Sequence, residues 1–378
     1  MEGLIVELFD RSELSFFPLA ERKNKVRITG SCVDPNADPG PISDALRERV
    51  NLIAREIVMA KNTGKAVIIA FGAHAIKNGL GRLLAEYARN GWVTHLATNG
   101  AGVIHDWEFA FQGQSSEDVR ANVQIGRFGT WEETGLYINL GLAVGAYEGL
   151  GYGESIGALI CQNGLDIPDR DFLRSISAGL GNEALWKQAA ACDLLELVET
   201  LRIPSGRYEI QHLFPEYSVQ AETRRLGLPF TSHPMFGHDI IYTHVANRGA
   251  VVGRTAERDF LAFVRSVSLL QGGVYLSVGS AVMSPMIFEK SLSMARNVSR
   301  KIGADIGDCG IHVVDLQEET WDWSTGEPPM DNPAYYLRFM KTFNRMGCRV
   351  DYTSADNRAF FLALHRALAD LEAAGGAR

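Results

Sequence analysis

Three histidines and a carboxylate crowd into one stretch of the chain: His233, His238, Asp239 and His244, spaced His-x4-His-Asp-x4-His. Neutral imidazoles and carboxylates are metal ligands. An imidazole, whose unperturbed pKa lies near neutrality, is equally a general acid or base. The spacing fits neither the His-Glu-x-x-His helix of zinc proteases nor a zinc finger. Three readings therefore stand: a metal-dependent hydrolase on His233, His238 and His244; proton transfer by His238 and Asp239 with substrate contact by His233; or loop histidines bonded to backbone. A second group, His105, Asp106 and Glu108, offers a proton relay, or else carboxylates that offset a helix dipole. Lys77 is a further candidate for the chemistry. Ser115-Ser116-Glu117-Asp118 reads as a helix N-cap rather than a nucleophile. No Gly-x-Ser-x-Gly elbow, Walker A loop or Cys/His nucleophile pair stands out.

The elements that must position these groups read as strands alternating with helices. Residues 66–71 (Ala-Val-Ile-Ile-Ala-Phe) form a continuous apolar run, the mark of a strand buried on both faces. Further strands are expected over 92–98, 273–278, 311–315 and 348–352. Helices are expected over 44–62 (capped by Ser43), 75–90, 285–301, 333–345 and 356–374. The pattern predicts an α/β fold, a Rossmann-like doubly wound parallel sheet. Residues 131–227 read as a helical excursion within a single domain spanning 46–378. Residues 1–45 read as an N-terminal arm, extended and rich in Pro, Asp and Gly from 12 onward, and 373–378 as a frayed tail.

Ligands of such sheets bind beyond the carboxyl ends of the strands. The residues there are Gly72 to His74, Thr98-Asn99-Gly100-Ala101-Gly102, Gly279-Ser280-Ala281, Asp315, and Ala355-Asp356. Small residues let backbone N–H groups approach a phosphate, and a strand-end carboxylate can accept ribose hydroxyls. The ensemble suits a nucleotide or dinucleotide. Each turn alone also reads as tight strand-to-helix geometry, and Asp315 as a simple cap. Trp321 and Trp323 sit in a polar loop where they could cover an active site or pack on a neighbouring subunit.

Lys plus Arg is 37 against 45 for Asp plus Glu, a net charge of −8, which argues against a protein built to grip nucleic acid or an anionic membrane. The cysteines are 5, widely spaced and without Cys-x-x-Cys, so neither a disulfide framework nor a zinc ribbon is expected. The N-terminus does not read as a signal peptide and no apolar run reaches a membrane span, so a cytoplasmic protein is expected.

Several of these segments together resemble the deoxyhypusine synthase family. Residues 97–106 (Ala-Thr-Asn-Gly-Ala-Gly-Val-Ile-His-Asp) resemble its Thr-Thr-Ala-Gly-Gly-Val segment. Pro229-Phe230 through Gly237-His238-Asp239-Ile240-Ile241 is similar to its Pro-Val-Phe…Gly-Asp-Met-Ile. Residues 276–282 fall where the family has Gly-Gly-Gly-Val. Asp315-Leu316-Gln317-Glu318 resembles its Thr-Ala-Gln-Glu, and Tyr352 to Asp356 its Tyr-Ala-Asp-Ala. The order holds from about residue 66 to 370. The likeness is nearer to a bacterial branch with Gly-Ala-His-x-Ile-Lys, here Gly72 to Lys77, and Asn-Gly-Ala-Gly-x-x-His-Asp, here Asn99 to Asp106.

The resemblance implies bound NAD, a homotetramer with active sites at subunit interfaces, and hydride abstraction from an amine. It departs where the family carries its catalytic lysine in Trp-Gly-Lys: here the segment reads Tyr335-Tyr336-Leu337-Arg338-Phe339-Met340-Lys341. The family's histidine after the Gly-rich loop is replaced near Ser284, and its acid after the second strand is His105. The expectation is an enzyme that keeps the hydride machinery and changes the substrate end, acting on a small amine or polyol through an imine or ketone, with group transfer open. NAD would be held by Thr98, Asn99, Gly100, Ala101, Gly102, Gly279, Ser280, Asp315, Ala355 and Asp356. Protons would be moved by His105, His238, Asp239 and Lys77, and substrate touched by Glu108, His233, Trp321, Arg338 and Lys341. An NAD-dependent isomerase, dehydratase or lyase on a sugar-like substrate is the next reading, and a non-catalytic nucleotide-binding homologue another.

Overall fold

An apolar run without alternation must be covered on both faces, and Val67–Phe71 is buried at all five positions. The computed structural model describes residues 7–180, 182–318 and 320–375, the side chain of Arg338 excepted. Its strands are β1 (Asn24–Arg27), β2 (Val67–Phe71), β3 (His95–Thr98), β4 (Gln114–Glu117), β5 (Gly164–Ile167), β6 (Gly206–Glu209), β7 (Phe230–Ser232), β8 (Gly273–Val278), β9 (Cys309–Asp315) and β10 (Arg349–Ser354). The helices are α1 (Ile28–Ser31), α2 (Asp44–Asn62), α3 (Ala73–Lys77), α4 (Gly81–Arg89), α5 (Gly100–Gln112), α6 (Val119–Gln124), α7 (Glu132–Glu148), α8 (Tyr152–Gln162), α9 (Arg170–Ser177), α10 (Leu185–Thr200), α11 (Val219–Leu226), α12 (Gly249–Val267), α13 (Met283–Arg300), α14 (Arg338–Asn344) and α15 (Asn357–Gly375).

Six strands make one parallel sheet in the order β10-β9-β8-β2-β3-β7. Numbered by their sequence within the sheet, that order is 6-5-4-1-2-3, the doubly wound dinucleotide-fold arrangement, and it reverses between β2 and β8. Alternation along each strand divides the core. Val67, Ile69, Phe71, Leu96 and Leu276 face a layer built from α2, α4, α5 and α15. Ile68, Ala70, Tyr275 and Ile311 face Phe263 of α12, Phe288 of α13 and Phe343 of α14. The fold is thus the Rossmann-like α/β sandwich that the sequence predicts.

Several expectations change in detail. The helix expected over 75–90 is two, α3 and α4, parted by a turn at 78–80. The helix expected over 333–345 is a 3-10 turn, Pro333–Tyr336, followed by α14. Strand β7, three residues long, was not expected at all. The excursion after residue 131 is helical but encloses an antiparallel pair, β5 and β6. The N-terminal arm is not extended: β1 pairs antiparallel with β4, and Phe17 N–H donates to Thr130 O at 3.0 Å. Cys309, at the start of β9, and Cys348, just before β10, are joined with Cα atoms 5.5 Å apart, a single bridge rather than a framework. No helix among the described residues is long and apolar enough to cross a membrane.

The reversal point is closed tightly. A Cβ on Gly72, after β2, would lie 2.0 Å from the carbonyl oxygen of Gly279, after β8. Neither backbone can yield without moving a strand. Gly72→Ala should therefore destabilise the fold by about 1–3 kcal/mol as an overpacking change, read by urea unfolding against wild type.

Candidate active site

Helix α5 starts at the carboxyl end of β3 and is capped by Asn99, whose Oδ1 accepts from Gly102 N–H at 2.9 Å. Ala101, Ile104, His105 and Glu108 follow at i, i+3, i+4 and i+7, on one face, and that face walls a cavity of about 280 Å³. Lys77, at the end of α3, lines it too, as do His238, Asp239 and Ile240 from the loop after β7. The arm supplies Arg22 and Lys25, and Ser116, Glu117, Val119 and Phe128 complete the lining. A second cavity, of about 210 Å³ beside Gly153, Thr231 and Asp259, holds none of the expected site residues.

At the cavity wall Arg22 and Glu108 form a buried two-pronged ion pair, Nη1 to Oε1 at 2.8 Å and Nη2 to Oε2 at 2.5 Å. Thr134 Oγ1 donates to Oε1 at 2.9 Å and Ser115 Oγ to Oε2 at 2.5 Å. Burial alone would raise the Glu108 carboxyl, but Arg22 and these donors hold it below its usual value. Because the Ser115 hydroxyl is given to a carboxylate, its oxygen can only accept from His105 Nδ1, 2.7 Å away. The network thus assigns the proton to Nδ1 and leaves Nε2 as a lone pair. Burial lowers the His105 pKa, countered by the charge of Glu108 and reinforced by Lys77, Arg22 and His74. The result is a neutral imidazole with a fixed tautomer, the state a general base requires.

Asp239 lies over the start of α5. A Cβ on Gly100 would fall 2.1 Å from its Oδ2, so only glycine admits the carboxyl there. That Oδ2 is buried without a hydrogen-bond partner among the described residues, and burial pushes the carboxyl up to about 7. Lys77 forms neither ion pair nor hydrogen bond among the described residues. Ser116 faces the cavity from a left-handed backbone (φ 72°), the kind of outlier that concentrates at functional sites.

The structure therefore gathers His105, His238, Asp239, Lys77, Glu108 and Ala101 around one cavity and sends other candidates elsewhere. Of the two carboxylates considered for a relay, Asp106 points away and accepts from Ser218 Oγ (2.6 Å) and Val219 N–H (3.0 Å), fastening α11. His233 is internal: its Nε2 lies 3.0 Å from Thr231 Oγ1, which also meets His95 Nε2 at 2.8 Å. His244 packs on Phe16 and approaches Glu132 at 3.4 Å. The three histidines thus do not converge, and no cluster of three or more metal-ligating side chains occurs among the described residues; the hydrolase reading loses its geometry. Thr98 is fully buried, its Oγ1 donating to Phe71 O at 3.0 Å, and Gly102 packs against it, so neither offers a cofactor contact through a side chain. Lys341 lies 3.3 Å from the Tyr335 ring centroid and 3.9 Å from Glu327, and Trp321 Nε1 donates to Gly326 O at 2.9 Å; neither lines the cavity. The side chain of Arg338 lies outside the described residues.

The remaining cofactor candidates stand at the carboxyl edge of the other half of the sheet. Gly279 is exposed with open space above it, and Ser280 Oγ accepts from Ser284 N–H at 3.2 Å in the first turn of the 18-residue α13. Asp315 Oδ1 caps Leu316 N–H at 2.8 Å, its backbone carbonyl accepts from Ala355 N–H at 2.9 Å, and Asp356 Oδ1 caps α15 through Arg358 N–H at 2.9 Å. Each carboxylate thus has one oxygen spent on local structure. The residues missed by sequence were Arg22, Lys25, Ser116, Glu117 and Phe128. Only the serine–acid run at 115–118 carried a signal, and its Ser115 proves to be the relay hydroxyl.

The chain matches no family model and no curated protein. Among solved structures it is similar to AgrE in ternary complex with ornithine and NAD+, at 14% identity and TM-score 0.44, covering 88% of this chain and 34% of that one. It is also similar to a putative LOR/SDH protein from Methanococcus maripaludis S2, at 13% identity and TM-score 0.44, covering 90% of this chain and 74% of that one. A third is ArgZ, an arginine dihydrolase from the ornithine–ammonia cycle in cyanobacteria, at 16% identity and TM-score 0.42, covering 87% of this chain and 32% of that one. The chain thus spans about a third of the AgrE and ArgZ chains. Likenesses this distant carry no argument about activity.

Two predictions concern buried ionisable groups. Glu108→Ala leaves Arg22 buried and unpaired and should cost about 3–5 kcal/mol of stability, measured by urea unfolding. His95, buried beside His233, is pushed down to about 3 while the unfolded chain titrates near 6.5. Between those values the unfolded state binds the extra proton, so this group's contribution to stability is lost as pH falls, by about 1.4 kcal/mol per pH unit. His95→Asn should flatten the pH dependence of unfolding between pH 6 and 4 by about that slope.

Proposed function

We propose that the chain is an NAD-dependent enzyme that removes hydride from a small amine or polyol bound in the cavity of His105, Lys77, His238 and Asp239. One observation carries the reading: the run His105–Ser115–Glu108–Arg22, which fixes a neutral imidazole with a free Nε2 on the helix that follows β3 of a doubly wound sheet. Such a base has little use in a module that only binds.

The residues present fit the cofactor. The Gly279-Ser280-Ala281 turn is bare of bulky side chains, opens onto solvent at Gly279 and leads into the N-terminus of α13, as a pyrophosphate requires. Gly279, Ser280, Asp315, Ala355 and Asp356 would hold NAD along that edge, with Gly100 and Ala101 nearest the substrate. NAD supplies the hydride acceptor, so the substrate carbon would become an imine or ketone.

The chain's own residues do the rest. His105 Nε2 takes the proton of the reacting N–H or O–H. Glu108, through Ser115, holds Nδ1–H in place and favours the imidazolium that forms. Asp239 holds or releases a proton close to neutrality, since burial places it at about 7. Phe128 and Ile240 add apolar surface to the cavity wall. The resemblance to deoxyhypusine synthase belongs to this proposal, with one amendment: the lysine facing the cavity is Lys77, not Lys341. We extend it to oligomerisation, since Val119, Val123 and Ile125, close in sequence to cavity-lining Phe128, are exposed apolar residues that a second copy would cover. Light scattering of the purified protein reads this directly.

His105→Ala should lower turnover about 10²–10⁴-fold while NAD still binds. The acid limb of wild-type turnover should lie below pH 6.5, because burial lowers His105 and the neutral base is lost only beneath that value. Undiminished turnover in His105→Ala, or a chain that neither carries nor binds NAD by mass spectrometry and titration, would overturn the reading.

A further inference from the structure

The cavity is nearly closed in its own charges. Arg22 is matched by Glu108. Lys25 is matched by Asp118 at 3.1 Å. Glu117 accepts from Asn122 Nδ2 at 2.7 Å, Trp131 Nε1 at 2.9 Å and Gly129 N–H at 3.3 Å. His238 is an exposed imidazole at the rim. Besides the lone pair of His105 Nε2, two ionisable lining groups of opposite character are left over. Lys77 presents an ammonium that nothing in the chain pairs among the described residues. Asp239 presents a buried oxygen that accepts nothing among the described residues. Beside Asp239 the hydroxyls of Tyr242 and Tyr152, both close enough to be affected by its charge, are likewise buried and without a partner among the described residues. A buried polar atom left without a partner costs free energy, so the cavity is incomplete at Asp239, while the half-buried Lys77 ammonium stands open to a counter-charge.

A completing ligand must bring a negative group to Lys77 and hydrogen-bond donors to Asp239. A diamine satisfies only Asp239 and sets its second charge against Lys77. A phosphate dianion would face Glu108, Glu117 and Asp239 with one unpaired lysine to hold it. A polyol leaves Lys77 without a counter-charge. A single carboxylate and a single amine on one small molecule match both vacancies.

We propose that the substrate is a small amino acid, its carboxylate paired with Lys77 and its amine held by Asp239. The inference deepens the functional reading, resting on its use of this cavity as the substrate site but not on NAD.

The test is calorimetric titration of the full chain with each of the common L-amino acids. For the tightest binder it continues with the corresponding decarboxylated amine and deaminated acid. The amino acid should bind, and each truncated analogue at least about tenfold more weakly. Lys77→Gln should weaken the amino acid about tenfold or more and leave the decarboxylated amine as it was or tighter. Lys77→Arg, which keeps the charge, should stay closer to wild type, and far-ultraviolet circular dichroism checks that both variants fold. The proposal is overturned if no amino acid binds, if the decarboxylated amine binds as tightly as its parent, or if Lys77→Gln weakens both alike. NAD is titrated into the same preparation. Failure of NAD with the amino-acid series intact sinks the hydride reading alone, and the reverse sinks this one alone.

Discussion

The pairing of Arg22 with Glu108 is the constraint from which the site follows. A guanidinium with its side chain almost wholly out of water is tolerable only if it is matched in charge and geometry. Here Nη1 and Nη2 reach the two carboxylate oxygens, and Nε reaches Asn24. That match pins the N-terminal arm to α5, and Ser115 and Thr134 add β4 and α7 to the same carboxylate. Four separate segments of chain meet at one acid. The consequences are forced in sequence: an ionised Glu108 makes Ser115 a donor, a donating Ser115 makes His105 a donor at Nδ1, and Nε2 is left free. The chemistry of the imidazole is set by an ion pair it does not touch.

The sheet decides where such a base can be used. Parallel strands deliver all their following loops to one edge, and the reversal between β2 and β8 splits that edge into two halves. The loops after β2, β3 and β7 bring Lys77, His105 and Asp239 to one half. Those after β8, β9 and β10 bring Gly279, Asp315 and Asp356 to the other. Polar side chains with no structural employment gather on the first half, and bare backbone with capped helix starts on the second. This is the division of labour expected when one molecule must be gripped and another laid beside it.

Much of this was legible because parallel sheets announce themselves. A strand buried on both faces has to be a continuous apolar run, and the residue after it has to be near the ligand edge. What was not legible follows from physics with no local signature. Asn and Asp after a strand are the same residues whether they serve local structure or bind a ribose; Asn99 and Asp356 cap helices, and Asp315 accepts from the next backbone N–H. Closeness in sequence misled at the histidines. His233 follows β7 into the core, whereas His238 and Asp239 lie beyond it, and His244 has already turned back toward Phe16. Arg22 sits in an aperiodic stretch, and only its partner 86 residues away gives it meaning. Strand β7 is too short to show a pattern of its own.

Burial has opposite effects on the two groups best placed to move protons, and the opposition is useful. Desolvation penalises whichever form is charged, so it lowers the imidazole of His105 and raises the carboxyl of Asp239. The two groups thereby shift in opposite senses, each favoured in its uncharged form. A neutral imidazole and a protonated carboxyl facing one cavity are the complementary base and acid that general acid–base catalysis uses. The Glu108 charge keeps the shift of His105 from running further, since it raises the imidazole against Lys77, Arg22 and His74. The same buried carboxylate that fixes the tautomer thus also limits how weak a base His105 becomes.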